Sequence, residues 1–206
     1  MHSRAYRMDA RAALSAETRH RILEAARRSL AGGRSTDLGL DAIADAARVS
    51  RVTIYNHFGS RSGLLEALYD HLATRGNVRR GKKALLHKNL DSALAGFIGA
   101  LVHFWSSDPV AIRRLHAMAA LDAEIAKGLG ARETRRRRAA AEIVHRRAPS
   151  AKRTRRPWTD RLVADTLCTL TGFETFDALA RAGHSREEII AVLTHLARGV
   201  LRQRRS

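Results

Sequence analysis

Apolar side chains recur along this chain at helical spacing rather than at strand spacing. Alternating runs of β-branched residues are absent, and Ala, Leu, Arg and Glu dominate. The first periodic stretch covers about 16–31 and stops at Gly32-Gly33. Its apolar residues are Ile22, Leu23, Ala26 and Leu30. Residues three and four apart share one face of an α-helix, so the pattern predicts an all-α protein of about nine helices.

Three shorter helices are predicted to follow, at about 40–47, at 51–58 (RVTIYNHF) and from Ser60 to about Arg75. Ser50 and Ser60 directly precede the last two, where a hydroxyl can accept a hydrogen bond from an amide of the first turn. Only three residues separate the second predicted helix from the third. Short helices joined in this way predict a helix-turn-helix unit.

Beyond residue 76 the predicted helices are longer. They cover about 90–105, a segment starting at Pro109, about 119–147 with breaks at its glycines, 158–181, and 185–202. The last one opens with the sequence Ser-Arg-Glu-Glu, a capping box. The segment 149–157 is predicted to be a loop.

The RVTIYNHF helix carries two distinct faces. Ile54 and Phe58 lie four residues apart and are predicted to point into the core. Side chains able to form hydrogen bonds project elsewhere, namely Thr53, Tyr55, Asn56 and His57. An α-helix fits the major groove of DNA, where such groups can distinguish base pairs.

Charge supports a polyanionic partner. The chain has 38 Lys and Arg against 20 Asp and Glu, a formal net charge of +18. Half of this excess lies in 132–156, with eleven basic and two acidic residues. We interpret that Arg-rich window as a solvated face, with a second nucleic-acid site as the alternative. Arg4, Arg7 and Arg11 lie in an arm that we expect to be disordered, the alternative being insertion into a minor groove.

Cys168 is the single cysteine, so no intramolecular disulfide can form, which suits a reducing compartment. The first residues lack the apolar core of a secretory signal. The longest apolar run, 94–105, falls short of the roughly 20 residues that a membrane-spanning helix needs. We therefore expect a cytoplasmic protein without a membrane partner.

The segment LDAIADAARVSRVTIYNHFGSRSGLLEAL, residues 40–68, resembles the TetR (tetracycline-repressor) family of transcriptional regulators. The matching motifs are I-A-x-x-A at 43–47, V-S at 49–50, T-I-Y-x-H-F at 53–58 and S-R-x-x-L-L at 60–65. Their order and spacing as a set make the resemblance specific.

The resemblance implies an N-terminal helix-turn-helix DNA-binding domain and a C-terminal helical domain for ligand binding and dimerisation. The chain then divides into a basic arm at 1–15, a DNA-binding domain at 16–75 and an effector-binding and dimerisation domain at 76–206. Residues 171–196 resemble the family's final helix pair, through which a homodimer would form. The implied function is a repressor that a small-molecule effector releases from a palindromic operator in double-stranded DNA.

Carried over by position, the DNA-facing residues are Arg51, Thr53, Tyr55, Asn56, His57 and Arg61. The resemblance implies that Tyr55 and His57 hold phosphates, while Arg51, Thr53 and Asn56 read base edges. Arg61, in the first turn of the fourth helix, would bind a further phosphate. Phosphate contacts position a protein on DNA, whereas base contacts specify sequence.

Two positions depart from the family pattern. Arg48 stands where the family usually has a glycine in a left-handed turn, which would cost about 1 kcal/mol if the turn is kept. Gly39-Leu40 stands where the family often has a threonine, so the amides of the second helix's N-terminus remain for that phosphate contact.

Candidates for lining a ligand cavity are Phe97, His103, Trp105, Met118, Phe173 and Phe176, although each also suits a core or interface position. No two of the ten histidines lie three or four residues apart, so a helix-borne metal site has no support. We expect no cofactor, and no catalytic constellation favours an enzyme. The alternative function is a nonspecific, basic nucleic-acid-binding accessory protein.

Overall fold

The computed structural model describes residues 2–32, 39–76, 83–146 and 158–202, with side chains from residue 10 onward. Over these residues the chain forms ten α-helices and no strand, which confirms the all-α prediction. The helices are α1 (His2–Gly32), α2 (Leu40–Ala47), α3 (Arg51–Phe58), α4 (Arg61–Arg75), α5 (Leu90–Trp105), α6 (Pro109–Ala119), α7 (Ala123–His145), α8 (Asp160–Leu170), α9 (Phe173–Arg181) and α10 (Arg186–Arg202).

The chain folds into two compact units. The first unit comprises residues 1–71 and 110–128, and the second comprises 72–109 and 129–206. Most of α6 and the start of α7 thus belong with the helix-turn-helix segment, although they follow it by some 40 residues along the chain.

The core of the first unit contains the apolar positions predicted from the sequence. Its buried side chains include Ile22, Ala26, Ile43, Ala47, Ile54, Leu64 and Leu65. Ile112 and Leu115 of α6 are buried as well. Arg114 of α6 donates a hydrogen bond to the carbonyl of Leu30, near the end of α1. That bond satisfies one of the carbonyls that a helix C-terminus leaves without a partner.

The second unit is built around α10, which packs against α5, α8 and α9. Its core includes Leu94, Ile98, Trp105, Val163, Leu167, Ile189 and Leu193. The predicted capping box is confirmed at the start of α10. The Glu188 amide donates to the Ser185 hydroxyl at 3.2 Å, and the Ser185 amide donates to the Glu188 carboxylate at 2.7 Å.

Three helix boundaries differ from the sequence prediction. The first helix begins at His2 rather than near residue 16, so residues 2–15 are helical instead of a disordered arm. Their composition favours a helix, with Ala, Arg, Met and Leu and neither Gly nor Pro. The side chains of 10–17 are exposed, so this part of the helix has no apolar stripe from which it could have been predicted.

The predicted breaks at Gly128 and Gly130 do not occur, and α7 is continuous through both. An interior glycine costs only about 1 kcal/mol relative to alanine, which helix packing can offset. At Gly128 a Cβ would lie 3.2 Å from a carboxylate oxygen of Glu66. The small residue therefore allows α7 to approach α4 closely.

The predicted helix 158–181 is instead two helices, α8 and α9, separated at Thr171 and Gly172. The Thr171 hydroxyl donates to the Leu167 carbonyl at 2.8 Å, and Gly172 takes the N-cap position of α9. A threonine hydroxyl bonded to a preceding carbonyl competes with the regular helix pattern, and glycine has a low helix propensity. This break accounts for the tenth helix.

Candidate nucleic-acid interface

The turn between α2 and α3 depends on Arg48. Its φ and ψ are 54° and 51°, and it is the one non-glycine residue of the described chain with positive φ. The Val49 amide donates to the Ala44 carbonyl and the Arg48 amide to the Asp45 carbonyl, both at 3.0 Å. These two bonds form a Schellman motif, which normally places glycine at the left-handed position. The family turn is thus kept despite the arginine.

Ser50 caps α3 as predicted. Its hydroxyl accepts a hydrogen bond from the Thr53 amide at 3.1 Å and lies 3.0 Å from the Thr53 hydroxyl. Ile54 is 1% exposed and anchors α3 to the core. The guanidinium of Arg19 lies 4.7 Å from the ring centroid of half-buried Phe58. Ile54 and Phe58 therefore face inward, which leaves the opposite side of α3 exposed.

The exposed side of α3 begins with a small polar network. Arg51 Nη1 lies 3.3 Å from a carboxylate oxygen of Asp41 on α2. A hydrogen bond to the Tyr55 hydroxyl and the charge of Asp41 raise the pKa of Arg51 above its ordinary value. Arg51 therefore carries its charge at every relevant pH, and its neighbours orient the guanidinium at the surface.

The other predicted contact residues on α3 differ in their exposure to solvent. Asn56 is exposed, whereas Thr53 and His57 are half-buried. The Thr53 hydroxyl already has Ser50 as a hydrogen-bond partner. Within the described residues, Asn56 makes no side-chain hydrogen bond, so both its donor and its acceptor face solvent.

Arg61 occupies the first position of α4, directly after the N-cap residue Ser60, whose hydroxyl accepts from the Gly63 amide at 3.0 Å. Arg61 Nη1 donates to Asp122 Oδ2 at 3.0 Å, and each side chain is about one-third exposed. Asp122 Oδ1 accepts from the amides of Glu124 and Ile125 at 3.0 and 3.2 Å. The Ile125 and Glu124 amides, together with Arg61, hold the pKa of the Asp122 carboxyl below its usual value.

Sequence reasoning missed three features of this surface. Val52 is 65% exposed on α3, although it was not among the predicted contact residues. A Cβ at Gly63 would lie 2.1 Å from the Phe58 carbonyl oxygen, so only glycine fits between α3 and α4. The Arg61–Asp122 pair joins residues 61 positions apart, for which the sequence carries no local signal.

Comparison with protein families identifies this helix-turn-helix segment. Residues 22–68 match the family model for bacterial regulatory proteins of the tetR family. This segment therefore carries the sequence signature of the tetR family's N-terminal region. The match covers α2 and α3 completely and about the first half of α4. No curated protein sequence matches the chain significantly.

Solved structures extend the likeness in fold to nearly the whole chain. A TetR transcription regulator from Haloarcula marismortui has 15% identity and a TM-score of 0.67, covering 90% of this chain and 97% of the other. A TetR-like regulator from Rhodococcus sp. RHA1 has 21% identity and a TM-score of 0.62, covering 91% and 97%. The TetR-like regulator LfrR from Mycobacterium smegmatis, in complex with proflavine, has 22% identity and a TM-score of 0.55, covering 92% and 97%.

The predicted ligand-cavity residues do not form one group. Trp105 and Phe173 have ring centroids 5.6 Å apart, and Phe173 and Phe176 have centroids 6.3 Å apart. These three buried residues, all in the second unit, form what we call the aromatic cluster. Met118 is also buried but belongs to the first unit.

The remaining two predicted cavity residues also lie in the second unit. Phe97 is buried on α5. His103 is half-buried, with Nδ1 3.4 Å from Arg186 Nη1, so it faces α10. The guanidinium of Arg136 lies 5.8 Å from the Trp105 ring centroid. Trp105 Nε1 donates to the Thr171 carbonyl at 3.1 Å, which fixes the orientation of the indole ring.

Two other kinds of site are absent from the part of the chain that the structure describes. There, no three His, Cys, Asp or Glu side chains are placed to hold a metal ion. No described helix has the length and apolarity to cross a bilayer. Of the Arg-rich window, Arg147, Lys152, Arg153, Arg155 and Arg156 lie outside the described residues.

Proposed function

We propose that this TetR-family protein is a sequence-specific repressor that binds a palindromic operator as a homodimer and dissociates when a small molecule binds. The observation that carries the proposal is the outer face of α3. Ile54 fixes the helix to the core, while Arg51, Tyr55 and Asn56 are exposed together. A helix anchored on one side and polar on the other can enter the major groove and contact base edges.

The proposed roles follow the chemistry of each residue. Arg51 can make a bidentate contact with guanine, and Asn56 can make one with adenine. Thr53 can form a hydrogen bond with either base. Tyr55, His57 and Arg61 would hold phosphates. In this scheme the first unit binds DNA, and the second binds the effector and dimerises.

An exposed apolar face in the second unit supports dimerisation. Helices α8 and α10 pack against each other. Leu162 on α8 and Val192 and Leu196 on α10 are each more than 40% exposed. Exposed large apolar residues on two helices that contact each other are typical of an interaction surface, and a two-fold axis would let identical faces cover each other.

The aromatic cluster supports a small-molecule effector. Ligand sites in helical proteins are mostly apolar, with a few polar groups that orient the ligand. LfrR, which shares this fold, was crystallised with proflavine. We propose that the effector of this chain binds beside the aromatic cluster, with Arg136 as an orienting group.

Fluorescence anisotropy tests the proposal directly. The full-length protein is titrated into duplexes enriched by it from a random-sequence pool and into shuffled controls, at about 0.15 M salt, where nonspecific binding is weak. We expect enrichment of a palindrome, a preference of about 1,000-fold over shuffled DNA, and two subunits per site. Thr53→Ala and Asn56→Ala should lower affinity unevenly across operator variants. Release by candidate small molecules is then screened in the same assay.

The competing function, a nonspecific nucleic-acid-binding protein, predicts different results. Selection would enrich no sequence, all duplexes would bind alike, and the two α3 substitutions would change little. The exposed Arg135 and Arg138 on α7 supply charge for such binding. That result would refute sequence-specific regulation.

A further inference from the structure

The Arg61–Asp122 ion pair raises a question that the proposed DNA contact leaves open. Arg61 is the residue proposed to bind a phosphate, yet its Nη1 donates to Asp122 Oδ2 at 3.0 Å. A carboxylate and a phosphate present similar acceptors to a guanidinium, and each partly neutralises its charge. An Arg61 held by Asp122 therefore attracts DNA less than an unneutralised arginine would.

Resting on the proposed DNA-binding function, we propose that Asp122 is an intramolecular competitor for Arg61. It occupies the arginine in the free protein, and DNA binding requires transfer of the guanidinium from Asp122 to a phosphate. Asp122 thereby lowers DNA affinity.

Asp122 is built as a fixed acceptor. Its Oδ1 accepts two backbone amides at the start of α7, which leaves Oδ2 facing Arg61. A carboxylate held by helix N-terminal amides is stabilised in its charged form. Because the side chain caps the helix, it keeps its position when Arg61 leaves.

The first turns of α7 meet α4 near two points, Asp122 at Arg61 and Gly128 at Glu66. All four residues belong to the first unit, so the ion pair is a local feature of that unit.

Asp122→Asn isolates the competition. Asparagine caps a helix about as well as aspartate, so the two amide bonds of Oδ1 are retained, while the negative charge facing Arg61 is removed. Glu124→Gln is the matched control. Glu124 is exposed two residues further on, and its replacement removes the same charge near the same helix end. Thermal melts followed by circular dichroism establish that each variant is folded.

Affinity is measured for two DNA probes, a duplex enriched by the wild type and a mixed-sequence duplex at about 0.05 M salt. The second probe is included because a phosphate contact is independent of sequence. Ion pairs with this exposure are weak, so Asp122→Asn should bind both probes about two- to five-fold more tightly. Glu124→Gln should differ from wild type by less than about 1.5-fold, the share expected from a general loss of negative charge.

A double-mutant cycle shows whether Asp122 acts through Arg61. In an Arg61→Ala background, Asp122→Asn should no longer raise affinity. If the increase persists there, or if Glu124→Gln produces the same increase, Asp122 acts only through overall charge and the proposal is wrong. Weaker binding by Asp122→Asn would also overturn it, because Asp122 would then position Arg61 for DNA instead of withholding it.

The design separates this inference from the proposed function. Operator preference of the wild type tests sequence-specific regulation without reference to Asp122. If that preference holds and Arg61→Ala weakens binding, but Asp122→Asn matches Glu124→Gln, only the competition fails. If Arg61→Ala leaves affinity unchanged on both probes, the phosphate role fails together with the competition. If wild type binds neither probe, the proposed function fails as well.

Discussion

Replacing Arg48 with glycine should stabilise this protein, although the arginine side chain is exposed. Arg48 adopts φ 54° and ψ 51°, a left-handed conformation that costs a residue with a Cβ about 1–2 kcal/mol. Glycine avoids that cost, but it lowers the free energy of unfolding by about 0.4–1 kcal/mol because it gives the unfolded chain more conformational entropy. The difference between these two ranges is about 0–1.6 kcal/mol, so the net gain expected for Arg48→Gly is centred on about 0.8 kcal/mol.

Urea and thermal denaturation followed by circular dichroism measure this gain. For a chain of this size 1 kcal/mol shifts Tm by about 2–4 °C, so Tm should rise by about 1–4 °C. Protein concentration must be equal in all samples, because self-association would add stability through mass action. DNA is left out, since a substituted arginine beside α3 could change affinity for other reasons.

Arg48→Ala is the control that separates backbone from charge. The protein carries a net charge of +18, so removal of any arginine could relieve repulsion. Alanine removes the same charge but keeps the left-handed cost, and it should show no comparable gain. Arg48→Asn should fall between alanine and glycine, since asparagine tolerates this region better than most residues. Equal stabilisation by alanine and glycine would refute the reasoning from backbone strain.

Three further substitutions test other local features. Gly63→Ala should destabilise by at least about 1–3 kcal/mol in a urea melt, because its Cβ would lie 2.1 Å from the Phe58 carbonyl oxygen. Glu188→Gln should reduce the loss of stability on acidification. Hydrogen bonds from the Ser185 amide and hydroxyl lower the pKa of the Glu188 carboxyl, so its contribution is present above the unfolded-state pKa and is lost as pH falls through the folded-state pKa. Trp105→Phe should cost about 1–3 kcal/mol, since a buried carbonyl loses its donor.

Each of these has an outcome that contradicts it. Gly130→Ala is the control for Gly63, because a Cβ there meets nothing within 4 Å and should stabilise α7 by up to about 1 kcal/mol. If both glycine variants were stabilising, the close approach at Gly63 would be wrong. If wild type and Glu188→Gln lose the same free energy of unfolding as the pH is lowered, protonation of the Glu188 carboxylate is not linked to folding. Full stability of Trp105→Phe would mean that the indole hydrogen bond contributes nothing net.

The helix-turn-helix unit could be predicted closely from sequence because its determinants are local. Ser50 and Ser60 cap the helices that follow them, and Ile54 is buried at the spacing that the apolar pattern indicated. Short-range hydrogen bonds and helical periodicity act within about four residues, so one sequence carries them. The cost at Arg48 was predictable for the same reason, since the turn type sets the conformation of that position.

Features that depend on distant residues could not be predicted in this way. The sequence indicated Arg61 as a phosphate ligand, but not that Asp122 lies 3.0 Å away. It grouped Met118 with the aromatic residues of α5 and α9, although α6 belongs mainly to the other compact unit. Periodicity describes one helix at a time and leaves open which helices become neighbours. The operator contacts and the effector site therefore stay predictions.

The helical start of α1 has a consequence for how the N-terminal arginines can meet DNA. An α-helix with its side chains is about 10–12 Å across, whereas the minor groove of B-form DNA is only about 6 Å wide. While residues 2–15 remain helical, they cannot thread into that groove as an extended arm would. Their positive charge would then act at a distance, by concentrating the protein near any duplex and speeding its search, without contributing to the choice of sequence.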